Sequence, residues 1–318
     1  MDNERFTDQT KRTLDTPVKD YGWKWGSVPD SFASALARAA GEGDVERATA
    51  LVDGGADVDA ALPGGSCVAM HFAAVEGRAE MVAWLLARGA DVEGGTRRGW
   101  QTPLYLAAKF GHAAAARRLL EGGAEASRAG PNGYSPLWVA SYGGYVEAAS
   151  ALVEGGADVN QVSDRGDPPL YIAACFGHVE IARMLIEAGA TLDLLKSDGL
   201  SALMYAIMWQ DDDCHADKYR CMELLLSNGA DVNLGHEDGV TPLHKAMWDS
   251  KPRAVELLLR FKADPTLETT AGHRPKCRPP SDSRDVLYQA DVDECTRLVK
   301  EAAEEALEEK TVAAVSNC

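Results

Sequence analysis

Apolar residues in this chain come in paired short runs. Between Asp167 and Asp193 (DPPLYIAACFGHVEIARMLIEAGATLD) one run is broken by Gly177-His178, and a second ends on Ala188-Gly189. The same pair of runs starts again at Thr102, Ser135 and Thr241. Pro103, Pro136 and Pro169 stand 33 residues apart, with Ala202 in the same slot 33 further on. The glycines that close each pair, Gly55, Gly89, Gly123, Gly156 and Gly189, step by 34 or 33 residues. A fixed period in this range predicts a solenoid of repeated helix pairs.

Local chemistry supports that prediction. Thr102, Ser135 and Thr241 each precede a proline at the start of an apolar-periodic run. A hydroxyl there accepts a backbone N–H of the first turn, and proline at the first helical position loses no hydrogen bond. The small pairs Ala107-Ala108, Ala140-Ser141 and Ala173-Ala174 let a second helix approach closely. That second helix carries Leu119-Leu120, Leu152-Val153, Leu185-Ile186 and Leu225-Leu226 on one stripe, and glycine then stops it. Each hairpin has an apolar face that it cannot bury alone, so it must stack on its neighbours.

The pattern resembles the ankyrin repeat. Its T-P-L-H-x-A signature stands intact at Thr241–Ala246, with looser versions at Val68–Ala73, Thr102–Ala107, Ser135–Ala140, Pro168–Ala173 and Ser201–Ala206. The G-A-D-V-N ending recurs at Gly156–Asn160 and Gly229–Asn233. The resemblance implies an all-α solenoid of antiparallel helix pairs linked by β-hairpin fingers, with a concave face used for partner binding. The expected organisation is an extended or disordered arm over 1–30 and a single array over 31–310, followed by a tail over 311–318. Within the array, 31–64 reads as an N-terminal cap, about 65–271 as six repeats and 272–310 as a degenerate C-terminal cap. In the last of these, Leu298, Ala302 and Leu307 are expected on the buried side. Tyr21, Trp23 and Trp25, in the arm, form either a docking motif or a segment folded back over the first repeat.

Charge and cysteine usage narrow the function. The formal net charge of −17 argues against nucleic acid as the main partner, because phosphates would be repelled. A basic peptide or domain fits that charge, and so does solubility alone. No run of 18 or more apolar residues predicts a membrane span. Seven cysteines without a framework spacing suit a reducing, cytoplasmic setting, with the nucleus as the alternative. A monomer is expected. The sequence holds no G-x-S-x-G elbow, P-loop, H-E-x-x-H or paired C-x-x-C, so neither an enzyme nor a cofactor is expected.

Candidate contact residues follow from the resemblance. The end of each first helix presents Phe110, Tyr142, Phe176, Met208, Trp209 and Trp248, while the finger tips add Arg97, Arg98, Trp100, Tyr134, Asp164, Arg165 and Glu237. Aromatic side chains at matching depth would form a ladder for a protein or peptide partner, although packing between repeats explains Phe110 and Phe176 equally well. Two further readings concern other residues. Asn160 and Asn233 resemble the asparagines that hydroxylases modify in animal ankyrin repeats. The insertion Gln210–Ala216 and Asp217 gather aspartates, Cys214 and His215, but without zinc-ligand spacing, so a solvated acidic loop is the expectation rather than a metal site.

Overall fold

The computed structural model describes residues 31–62, 68–94, 101–196, 199–208, 215–276, 290 and 292–305. Contacts divide the chain into two compact units, Met1–Pro169 and Leu170–Cys318. In the first, the pairs are α1 (Phe32–Glu42) with α2 (Val45–Asp53), α3 (Ala69–Val75) with α4 (Ala79–Ala87), α5 (Pro103–Lys109) with α6 (Ala113–Glu121), and α7 (Pro136–Gly143) with α8 (Val146–Glu154). The second holds α9 (Pro169–Phe176) with α10 (Val179–Glu187), α11 (Ala202–Met208) with α12 (His215–Ser227), and α13 (Pro242–Trp248) with α14 (Pro252–Arg260); residues 292–305 are also helical. Within the first unit α1, α3, α5 and α7 pack in series, as do α4, α6 and α8. The second unit repeats this with α11 on α13, and α10, α12 and α14 in series. This is an all-α solenoid of stacked helix pairs.

The expected caps form. Thr102 Oγ1 accepts the Tyr105 N–H at 3.1 Å, Ser135 Oγ that of Trp138 at 3.1 Å, and Thr241 Oγ1 that of His244 at 3.4 Å. The small pairs at 107–108, 140–141 and 173–174 are fully buried, and Leu119, Leu152, Leu185 and Leu225 lie beneath them. In the first three second-helix pairs only the leading leucine is buried, so the seam is one residue wide there.

The fingers are hairpin turns without assigned strands among the described residues. Each closes with one backbone bond between residues four apart: Gly130 to Tyr134, Ser163 to Asp167, Lys196 to Leu200, His236 to Val240 and Thr269 to His273. Neighbouring fingers also join, through Asp164 N–H to the Asn132 carbonyl at 3.0 Å and Thr270 N–H to the Asp238 carbonyl at 2.8 Å.

A second set of bonds ties several repeats to the one before. The residue opening the second helix reaches back to a carbonyl at the end of the preceding first helix. Arg78 donates to Gly41, His112 Nε2 bonds the Val75 carbonyl at 2.8 Å, and Lys251 Nζ donates to Ile207. The side chains of Asp59, Glu93, Ser127, Asp193 and Asn233 accept the backbone N–H of Asp91, Glu125, Asp158, Asp231 and Asp264. Any acceptor serves this slot, which is why Asp, Glu, Ser and Asn all occupy it.

The turn inside each pair needs a left-handed residue, supplied by Gly77, Gly111, Gly144 and Gly177 at φ between 67° and 75°. In the α13–α14 pair Ser250 takes that slot at φ 51°, and its Oγ is buried without a hydrogen-bond partner. A left-handed conformation costs a side-chain-bearing residue about 1–2 kcal/mol. Ser250→Gly is therefore expected to stabilise the second unit by about 1 kcal/mol. Denaturant unfolding checks this, and an unchanged or lower midpoint contradicts it.

The C-terminal helix corrects one expectation. Its buried positions are Cys295 and Val299, with Leu298 and Ala302 half-buried; Leu307 lies outside the described residues. The seam is rotated from the expected Leu298–Ala302 line toward the neighbouring i, i+4 pair.

Candidate functional site

Sequence chemistry separates the two rows of helices. The six first helices α3, α5, α7, α9, α11 and α13 contain no aspartate or glutamate; their lysines are Lys109 and Lys245. Each of the second helices α4, α6, α8, α10, α12 and α14 carries at least one glutamate. Within these six pairs the helical carboxylates thus lie on the second helix.

The expected contact slot holds half-buried side chains in both units. In the first, Phe110 follows α5 and sits 6.4 Å from the His112 ring, and Tyr142 stacks on Trp138 at 5.7 Å and 6°. In the second, Phe176 stacks on His178 at 6.2 Å, and Met208 and Trp248 end α11 and α13. The Phe–His contacts give Phe110 and Phe176 a packing role beside any contact role. Asp164 and Glu237 are exposed at finger tips and Arg165 is half-exposed. Arg97, Arg98, Trp100 and Trp209 lie outside the described residues, as does most of the acidic insertion. Asp217 pairs with Arg220 at 3.0 Å.

Tyr134 is the exception. It was expected at a finger tip but is 1% exposed, with its ring stacked on Trp138 at 3.9 Å. The finger bends its base under the stack, so Tyr134 is a core residue and no contact.

Sequence reasoning missed the column that holds the fingers. The histidine slot of the signature carries His71 and His244 at the ends of the series, but Tyr105, Trp138, Tyr171 and Met204 between them, all buried. Tyr171 lies 4.0 Å from Tyr205, and Lys196 Nζ reaches the Tyr205 hydroxyl at 3.3 Å while lying over both rings. Reading that one slot down the repeats would have found the column. Also missed were the cations behind the contact slot. Lys109 is buried with its ammonium 5.7 Å from the Phe110 ring, and Lys245 pairs with Asp249 at 3.3 Å. Burial lowers the Lys251 pKa; Asp249 opposes the shift, and repulsion from Lys218 and Lys245 adds to it.

The histidines act as neutral connectors. His244 Nδ1 accepts the Thr241 N–H at 3.2 Å, and its Nε2 donates to the His273 carbonyl at 3.0 Å, tying α13 to the following finger. His71 Nδ1 takes the Val68 N–H at 3.4 Å. Burial pushes the His71 pKa down to about 4, against the Gln101 carbonyl and the Asp91 charge. Burial lowers His244 as well. Among the described residues no group of three His, Cys, Asp or Glu side chains is placed to hold a metal ion, and no helix is long and apolar enough to cross a membrane.

Serial helix pairs joined by bonded finger tips define a repeat protein of the protein-interaction class. Family models described as ankyrin repeats match residues 36–86, 93–163, 156–216, 198–236 and 238–270, and the chain belongs to the ankyrin-repeat family. Mouse protein phosphatase 1 regulatory subunit 27 is 41% identical over 96 residues, which is 30% of this chain and 58% of that protein. Human BCL-6 corepressor-like protein 1 is 41% identical over 51 residues, 16% of this chain and 3% of that protein. The chain thus spans less than two thirds of either relative. Among solved structures, the ankyrin repeat domain of Bcl-3, a member of the IkappaB protein family, aligns with a TM-score of 0.59 and 25% identity, covering 65% of this chain and 91% of that one.

Proposed function

We propose that this protein is a non-enzymatic adaptor that holds a protein or peptide on the face formed by its first helices and fingers. The observation that carries the reading is the slot at the end of five first helices, α5, α7, α9, α11 and α13, where Phe110, Tyr142, Phe176, Met208 and Trp248 recur half-buried on helices that hold no carboxylate themselves. Half-buried aromatic and methionine side chains on a rigid support bury area on binding with little ordering cost. The regulatory-subunit and corepressor names of the relatives agree with such a role. Trp248→Ala with Phe176→Ala is expected to reduce partner capture at least about tenfold, as loss of hot-spot side chains does. Affinity capture against the wild type reads the first effect and a melting curve controls for folding. Undiminished capture by the folded variant, or collapse of the second unit, overturns the assignment.

A second reading makes Asn160 and Asn233 substrates of an asparagine hydroxylase. Both stand in the same Asp-x-Asn turn, with their N–H groups held by Asp158 and Asp231 at 2.9 Å, and each follows a buried leucine by eight residues. Intact-peptide mass spectrometry of the native protein decides it, since a hydroxylated asparagine is heavier by one oxygen.

A further inference from the structure

The α13–α14 pair departs from the charge of the chain as a whole. Over residues 241–263, Lys245, Lys251, Arg253, Arg260 and Lys262 stand against Asp249 and Glu256, in a chain of formal net charge −17. Arg253 and Arg260 are engaged elsewhere, over the Tyr219 ring at 4.9 Å and against Glu223. Lys251 instead reaches the Ile207 carbonyl, next to Met208, and Lys245 lies one turn before Trp248. Lys218, 33 residues before Lys251, completes a group of three. It is 6% exposed, and its stem lies along the turn after Phe176, where a Cβ added to Gly177 would meet Lys218 Cγ at 3.4 Å. Lys218 makes no hydrogen bond or ion pair among the described residues.

Asp249, 3.3 Å from Lys245, is the carboxylate that faces the group. Burial, and then repulsion from Lys218 and Lys245, lowers the Lys251 pKa against the pull of Asp249. The side chains of Lys245 and Asp249 are 22% and 16% exposed, so salt screens this excess of positive charge weakly. We propose, on the reading that partners bind the first-helix face, that this mouth takes an acidic segment of a protein partner, with aspartate or glutamate beside an aromatic or aliphatic residue. The carboxylate sits among Lys218, Lys245 and Lys251, while its neighbour covers the half-buried Met208 and Trp248. Three ammonium groups against one carboxylate leave two positive charges for the partner to match. Bidentate phosphate recognition calls for a guanidinium fork instead, and both arginines of this pair are engaged.

Fluorescence anisotropy on the full chain tests this with short labelled peptides in which glutamate alternates with leucine and phenylalanine, and with glutamine counterparts. Glutamate peptides are expected to bind at least about tenfold more tightly than their counterparts, and to weaken as salt rises. Lys218→Gln with Lys245→Gln should remove that preference and leave glutamine peptides unaffected, with a melting curve as the control for folding. Asp249→Asn, which removes the opposing charge, should tighten glutamate peptides about threefold and needs neither lysine changed. Trp248→Ala should weaken both kinds alike. Glutamate peptides that bind no tighter than glutamine peptides, or a preference that survives the lysine changes, overturn the acidic assignment and leave the binding face standing. Trp248→Ala without effect on either kind overturns the face and this assignment with it. Displacement of glutamate peptides by single-stranded DNA at lower concentration overturns it in favour of nucleic acid.

Discussion

Trp138→Ala is expected to cost about 3–5 kcal/mol, the usual range for deleting a large buried aromatic side chain. The indole is fully buried and sits between Tyr134 at 3.9 Å and Tyr142 at 5.7 Å. Its loss opens a cavity under a finger and removes two ring contacts, each worth about 0.5–1.5 kcal/mol beyond burial. Trp138→Phe should be far milder. The indole Nε1 is buried without a hydrogen-bond partner, so removing it also removes a desolvation cost of about 1–3 kcal/mol. Denaturant unfolding of both variants gives the comparison. Equal losses for Ala and Phe would mean that the site needs the whole indole and that a smaller stacked ring does not replace it.

Acidification between about pH 6.5 and pH 4 is expected to destabilise the first unit by about 3 kcal/mol through His71 alone. Its pKa is held at about 4 in the folded chain, against an ordinary 6.5. In that window the unfolded chain binds the proton and the folded chain does not, so stability falls with pH and levels off below about 4. Above about 6.5 the histidine is neutral in both states and contributes no slope. Protonating Nδ1 would also remove the acceptor for the Val68 N–H. The measurement is the unfolding free energy at several pH values for the wild type and His71→Gln. If the variant keeps the full slope, the carboxylates rather than this histidine cause it. His244 should add a slope of the same sign in the second unit, because burial lowers its pKa too.

Trp138 and His71 occupy the same slot in different repeats, and the contrast shows how much the sequence disclosed. Its period identified the slot, which holds histidine at positions 71 and 244. That tyrosine and tryptophan replace them with a buried stack was visible in the letters, yet its consequence was not. A ring too large for the histidine's hydrogen bonds is accepted only because a finger supplies Tyr134 or a neighbouring helix supplies Tyr205 against it.

Helix pairs, hydroxyl caps, closing glycines and the repeat period were all encoded locally, because each depends on residues within four or five positions of one another. Thr102, Ser135 and Thr241 cap as expected for that reason, and Gly123, Gly156 and Gly189 adopt φ of 85–90°. Packing alone settled that Tyr134 is core while Tyr142 stays half-exposed, that Lys109 is buried, and that Cys295 and Val299 form the last helix's seam. Spacing fixes a side chain's angle about its own helix. Whether water or protein lies in that direction is set by residues tens of positions away.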